Sequence, residues 1–207
     1  PRSPDQSWPL GRFYGRRRGR PLRPGRSRLM AESLPELRLP VMEDCGEALP
    51  LTQLFPLETK ELWLEIGFGA GEHLAHQAVN NPTVGFIGCE LFVNGIASLL
   101  RHIEENKLVN VRIAQVEAGA LLAELPDAAI HRAFALFSDP WPKKRHHKRR
   151  LIQPTMLAEL ARILADGAEF RFASDSGSFV RWTLAHIIGT PQFEWTAESA
   201  ADWKVPP

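Results

Sequence analysis

The sequence holds only two cysteines, Cys45 and Cys89, far apart and without CxxC spacing, so it offers neither a disulfide framework nor a zinc site. Both are expected to be reduced thiols. No window approaches the roughly 18 consecutive apolar residues of a membrane span, and no apolar segment follows the Arg-rich N-terminus. Neither a membrane partner nor a metal is expected, and a cytoplasmic location is. An excess of one charge is missing too, since 25 Lys and Arg against 24 Asp and Glu leave a net +1. That near balance hides two basic blocks, and partners follow from the blocks and not from the sum. What the 207 residues do have is 44% hydrophobic content, enough for one large domain with a real core. The chain opens on Pro1 and not on Met, from which a longer natural protein is expected.

The first basic block runs from Pro1 to Arg28 and includes Arg12, Arg16, Arg17, Arg18, Arg20, Arg23 and Arg26, with Asp5 its one acid. Such a segment lacks the apolar residues to fold alone. Phe13, Tyr14 and Leu22 are candidates to pin it to a domain surface; whether its arginines grip phosphates or stay solvated is open at this level. From Ser33 to Leu57, Pro35, Pro40, Pro50 and Pro56 interrupt short apolar runs. The expected division is a basic arm and irregular lead-in over 1–57 and a main domain over 58–207.

Beyond Leu57, strands and helices alternate. Apolar runs at Glu61 to Gly67, Val84 to Cys89, Val111 to Val116, Ile130 to Phe137 and Phe170 to Ala173 read as strands. Helical patterns fall between them: Glu72 to Asn80, the spaced Ile96, Leu99, Leu100 and Ile103, then Leu121 to Leu125, Leu157 to Leu164 and Val180 to Ile187. Nearly continuous apolar strands are buried on both faces, which means a doubly wound, mostly parallel α/β sheet of Rossmann-like type. Ligands of such sheets bind beyond the carboxyl ends of the strands. Glu65, Glu90, Asp139 and Asp175 all lie at or near those ends.

Gly67, Gly69 and Gly71 in EIGFGAG open a helix directly after a strand, where backbone can approach a ligand closely. A dinucleotide fingerprint has its third glycine one residue further on, and a carboxylate such as Glu65 would repel a pyrophosphate while attracting a cation. S-adenosylmethionine, with an ammonium, a sulfonium and no phosphate, suits this turn better than NAD. Glu90 is then the acid that accepts from both ribose hydroxyls. Glu117 either accepts from the adenine amino group or is simply a strand-end acid.

The second basic block, LFSDPWPKKRHHKRR, places a lone carboxylate, Asp139, at the end of an apolar strand beside Lys143, Lys144, Arg145, His146, His147, Lys148, Arg149 and Arg150. This much positive charge implies a nucleic acid over it. A purine N7 attacks a sulfonium methyl without prior deprotonation, and a nearby carboxylate stabilises the charge created on the base. Asp139 and Asp175 are candidates to share that role and the reading of guanine N1–H and N2–H₂. Trp141 is either a stacking platform for an extruded base or a core residue bracketed by prolines.

EIGFGAGEHL, GFIGCE and above all FSDPWPKKRHHKRR resemble the bacterial tRNA (guanine-N7)-methyltransferase family, and FYGRRRGRPLRP and EFRFASD extend the resemblance over nearly the whole chain. The resemblance implies a class I methyltransferase fold, S-adenosylmethionine as donor and a variable-loop guanine of tRNA as acceptor. It implies Glu65, Glu90, the position of Glu117, and Asp139 as donor-site residues, with Asp139 also catalytic. Lys143 and Asp175 become guanine contacts, and Arg145 to Arg150 an RNA-binding strip, to which Arg16, Arg17 and Arg18 of the arm are added. Ser138 stands where the family usually has proline, and Glu117 where it usually has aspartate. Before Pro207 the sequence contains neither the family's threonine, arginine, aromatic and glutamate motif nor its last strand. A noncatalytic or differently targeted RNA-binding protein of the same fold is the alternative reading.

Overall fold

The computed structural model describes residues 15–40, 51–56, 59–199 and 201–202. Phe13, Tyr14, Cys45 and the boundary near Leu57 lie outside these described residues. Five strands form one parallel sheet: β1 (Glu61–Ile66), β2 (Val84–Cys89), β3 (Val111–Ala114), β4 (Ile130–Leu136) and β5 (Leu164–Ala173), in the order β3-β2-β1-β4-β5. Each register step keeps the strands parallel, with Leu64 of β1 opposite Ile87 of β2 and Ala133 of β4. The order reverses direction at β1 and β4, which opens a crevice beyond their carboxyl ends.

Helices cover both faces. On one face, α3 (Glu72–Asn80) and α4 (Val93–Asn106) bury Leu74, Ile96, Leu99 and Leu100 against Trp63, Phe86 and Phe134. On the other, α5 (Ala118–Glu124), α6 (Pro154–Ile163) and α7 (Gly177–Ile188) bury Leu121, Leu122, Leu157, Leu160 and Phe179 against Leu62, Leu64 and Ile87. Apolar residues three and four apart give α4 and α6 the stripe that drives this burial. Each such side chain contributes about 1.5–3 kcal/mol of transfer free energy.

Three differences from the sequence reading have local causes. Residues expected to be irregular form α1 (Pro24–Glu32) and α2 (Leu34–Leu37). Pro24 favours the first helical position, and Leu29 and Leu34 are buried with Ile96, Leu100 and Ile103, so this stretch folds by docking. The last strand begins at Leu164 and passes through a register irregularity at Gly167, whose φ of 77° suits glycine. The fourth strand ends at Leu136 because Phe137 turns into the left-handed region at φ 52°.

Candidate active site

A cavity of about 350 Å³ opens at the carboxyl ends of β1 to β4. Its wall includes Gly67, Gly69, Glu90, Glu117 and Asp139, all expected to serve the donor, joined by the unforeseen Phe137. Gly67 and Gly69 have φ of 73° and 57°, and a Cβ at either would meet nothing within 4 Å. The turn is therefore an open cradle at the cavity edge. Gly95, by contrast, lets α4 press on that turn, since a Cβ there would lie 2.1 Å from the Gly69 carbonyl oxygen. Gly71 caps α3 at φ 82°, its missing side chain making room for Leu99, and is absent from the cavity wall.

Glu90 is held by three backbone donors. Its Oε1 accepts from the N–H of Leu91 at 2.7 Å and of Phe92 at 2.9 Å, and its Oε2 from that of Gly69 at 3.1 Å. An ionised carboxylate has about four lone-pair sites, so acceptor capacity remains for a ligand hydroxyl. Cys89, next to it, is buried and donates to the Val116 carbonyl; burial, then the neighbouring Glu90, pushes its thiol far up, so no nucleophilic thiolate stands here.

Glu65 is 5% exposed at the end of β1 and is not part of the cavity wall. Its Oε2 lies 2.7 Å from His73 Nδ1, a partner that sequence reasoning missed although EHL follows the glycine turn at the first turn of a helix. Asn81 donates to Gln77 Oε1 and thereby turns the Gln77 amide nitrogen toward His73 Nε2, at 3.3 Å. A carboxylate only accepts, so His73 donates through Nδ1–H to Glu65.

The arm reaches the same cavity. Gly15 and Arg16 line it, and the Arg17 carbonyl accepts from the Val93 N–H at the start of α4. Asn94 clasps the arm, accepting from the Gly19 N–H at 2.7 Å and donating to the Arg20 carbonyl at 2.8 Å. Arg17 pairs with Glu117 of the cavity wall at 3.3 Å and, like Arg16 and Arg18, is exposed.

Asp139 is exposed and has no side-chain hydrogen bond or ion pair among the described residues. Two non-glycine residues with positive φ bracket it, Phe137 at 52° and Trp141 at 42°. Ser138 has a buried hydroxyl without a hydrogen-bond partner among the described residues. Lys143 and Asp175 are exposed and stand outside the cavity wall. Residues Lys144–Arg149 form a 3-10 helix in which Lys144, Arg145 and Lys148 are exposed and His146, His147 and Arg149 half-buried. Trp141 packs edge-on to His146 at 5.7 Å, with Arg149 5.0 Å from its ring. His146 is held below the ordinary histidine range, first by desolvation and then by Arg149, Arg145, Lys143 and Lys148.

Arg150 has partners other than the expected RNA. Only 3% exposed, it donates through Nε to the Pro140 carbonyl at 2.8 Å and through Nη2 to Ser178 Oγ at 3.3 Å, with Phe179 and Trp182 rings near 5 Å from its guanidinium. Burial lowers its pKa, which leaves an arginine charged at neutral pH. It ties the loop carrying Asp139 to α7.

A parallel sheet in this order, with a glycine turn after its first strand and an acid after its second, defines a class I methyltransferase fold. The precorrin-6y C5,15-methyltransferase of Geobacter metallireducens shares that fold, with a TM-score of 0.52 at 12% identity over 65% of each chain. A family model described as a putative methyltransferase matches residues 59–206. The tRNA (guanine-N(7)-)-methyltransferase of Rhodospirillum rubrum is 48% identical over 205 residues, 99% of this chain and 80% of that protein. Those of Rhodopseudomonas palustris strain BisB18 and Agrobacterium fabrum are each 46% identical, covering 100% and 94% of this chain and 82% and 83% of theirs. The chain belongs to the tRNA (guanine-N7)-methyltransferase family. It is a methyltransferase, and the donor of this family is S-adenosylmethionine.

Proposed function

We propose that this chain methylates N7 of a variable-loop guanine in tRNA, with Glu65, Gly67, Gly69, Gly71, Glu90 and Glu117 serving the donor and Asp139 serving the transfer. The observation that carries the reading is one cavity with the glycine cradle, Glu90 and Glu117 on one side and Asp139 with the basic strip on the other. Bound S-adenosylmethionine supplies an electrophilic methyl group. The protein's own part is positional and electrostatic. Glu90 accepts from a ribose hydroxyl, Glu117 exchanges Arg17 for the adenine amino group, and the buried Glu65 adds negative potential for the ammonium. Asp139 offsets the positive charge that arises on the guanine, whose N7 lone pair needs no proton removed before it attacks. Lys143 and Asp175 contact the guanine, with Asp175 accepting from N1–H and N2–H₂.

The exposed Lys144, Arg145 and Lys148, with His146, His147 and Arg149, hold tRNA phosphates, and Arg16 and Arg18 extend that surface. Among the described residues no helix is long and apolar enough to cross a membrane; the cytoplasmic location proposed for the enzyme follows from its tRNA substrate. Treating unmodified tRNA with the protein and labelled donor, then mapping the methyl by nuclease digestion and mass spectrometry, tests the reading. The expected product is a single N7-methylguanosine in the variable loop; a methyl on another base or atom would refute it.

A further inference from the structure

We propose that Phe137 is the platform on which the target guanine stacks. The inference rests on the reading above and adds to it the residue that holds the base. Phe137 is 66% exposed, by far the most open aromatic ring of the cavity wall, and it stands two residues before Asp139. A phenyl ring exposed at a cavity offers a face on which a base can stack.

Its backbone makes that exposure a held state. The Phe137 N–H donates to the Ala173 carbonyl at 2.8 Å, which ties the residue between the ends of β4 and β5. At φ 52° a side chain other than glycine is strained, and glycine would relieve it. The fold thus presents a largely exposed aromatic ring at a backbone conformation that disfavours it; such outliers cluster at functional sites.

Position selects the guanine over the donor. The donor residues Gly67, Glu90 and Glu117 follow β1, β2 and β3, whereas Phe137 and Asp139 follow β4, with Asp175 beyond β5. Phe137 thus shares the β4–β5 end of the sheet with both carboxylates assigned to the guanine. Trp141, the alternative platform, is committed to His146 and Arg149.

Three variants and one control decide the matter. Wild-type protein is assayed for N7 methylation of tRNA under steady-state conditions, alongside Phe137→Ala, Phe137→Trp and Phe137→Gly, and donor Kd is measured for each. The expected result is a loss of about 10- to 100-fold in kcat/KM for tRNA in the Ala and Gly variants, recovered to within about threefold by Trp, with donor Kd unchanged. Phe137→Gly should keep or raise Tm while losing activity, since glycine tolerates the positive φ. Transfer by the Ala and Gly variants within about threefold of wild type would overturn the role of Phe137 alone, as would failure of Trp to rescue, or a loss confined to donor affinity. A wild-type protein that leaves guanine N7 unmethylated would overturn the underlying reading and this inference with it.

Discussion

The donor and acceptor halves of the proposed site, in the cavity and beside it, are built differently. Glu65, Glu90 and Glu117 each have a partner in the protein alone: His73, three backbone N–H groups and Arg17 respectively. Asp139 and Asp175 are exposed and have none among the described residues. A carboxylate already hydrogen-bonded is oriented before its ligand arrives, and little entropy is lost in using it. An exposed carboxylate gains its field only when a substrate covers it and excludes water. On the reading proposed above, the donor half is preformed and the acceptor half is completed by tRNA.

The strongest way to break this contrast is at Asp139. Asp139→Asn should lower kcat by about 10²–10³-fold while shifting donor Kd by no more than about threefold, because the group works on charge created during transfer. An equal loss in donor affinity and turnover would place Asp139 on the donor side instead. Glu90→Ala is the matching change on the other side. It should weaken S-adenosylmethionine binding by roughly 10- to 100-fold in calorimetry, since a charged hydrogen-bond acceptor is removed and three N–H groups are left without their partner. Unaltered donor binding would remove Glu90 from the donor site.

Arg150→Met sharpens the boundary between the halves. Leaving the Pro140 carbonyl without its donor should lower Tm by roughly 3–8 °C in thermal unfolding, with the salt dependence of tRNA binding unchanged. A flattened salt dependence at unchanged Tm would return Arg150 to the phosphate-binding strip. The smallest effect is expected from replacing Lys144, Arg145 and Lys148 together with alanine. The slope of log K against log[salt] for tRNA should flatten by about 0.7–0.9 for each phosphate no longer neutralised, while turnover on saturating tRNA holds. An unchanged slope would mean that these residues do not touch phosphate.

Much of this architecture is legible in the sequence. Strand-by-strand apolar runs and glycine stops predict β1 to β5, because a strand buried on both faces has little freedom of composition. The same runs place Gly67, Gly69, Glu90 and Asp139 at strand ends. Other features are not legible, for physical reasons. That Arg150 is buried while Lys148 is exposed depends on a 3-10 turn that carries a run of like residues past Phe179 and Trp182, and composition carries no sign of it. The His73–Glu65 bond needs the register of α3 against β1. The helicity of Pro24–Glu32 is a docking effect supplied by α4. Phe137 reads as one more apolar strand residue until its φ and exposure are known.

The central claim, a donor site complete in the protein without tRNA, is tested most directly by titrating S-adenosylmethionine into the protein calorimetrically, with and without saturating tRNA. The account predicts one donor site in the protein alone, with a Kd that tRNA alters by no more than about threefold, or about 0.7 kcal/mol of coupling. Donor binding that appears only when tRNA is present would contradict it.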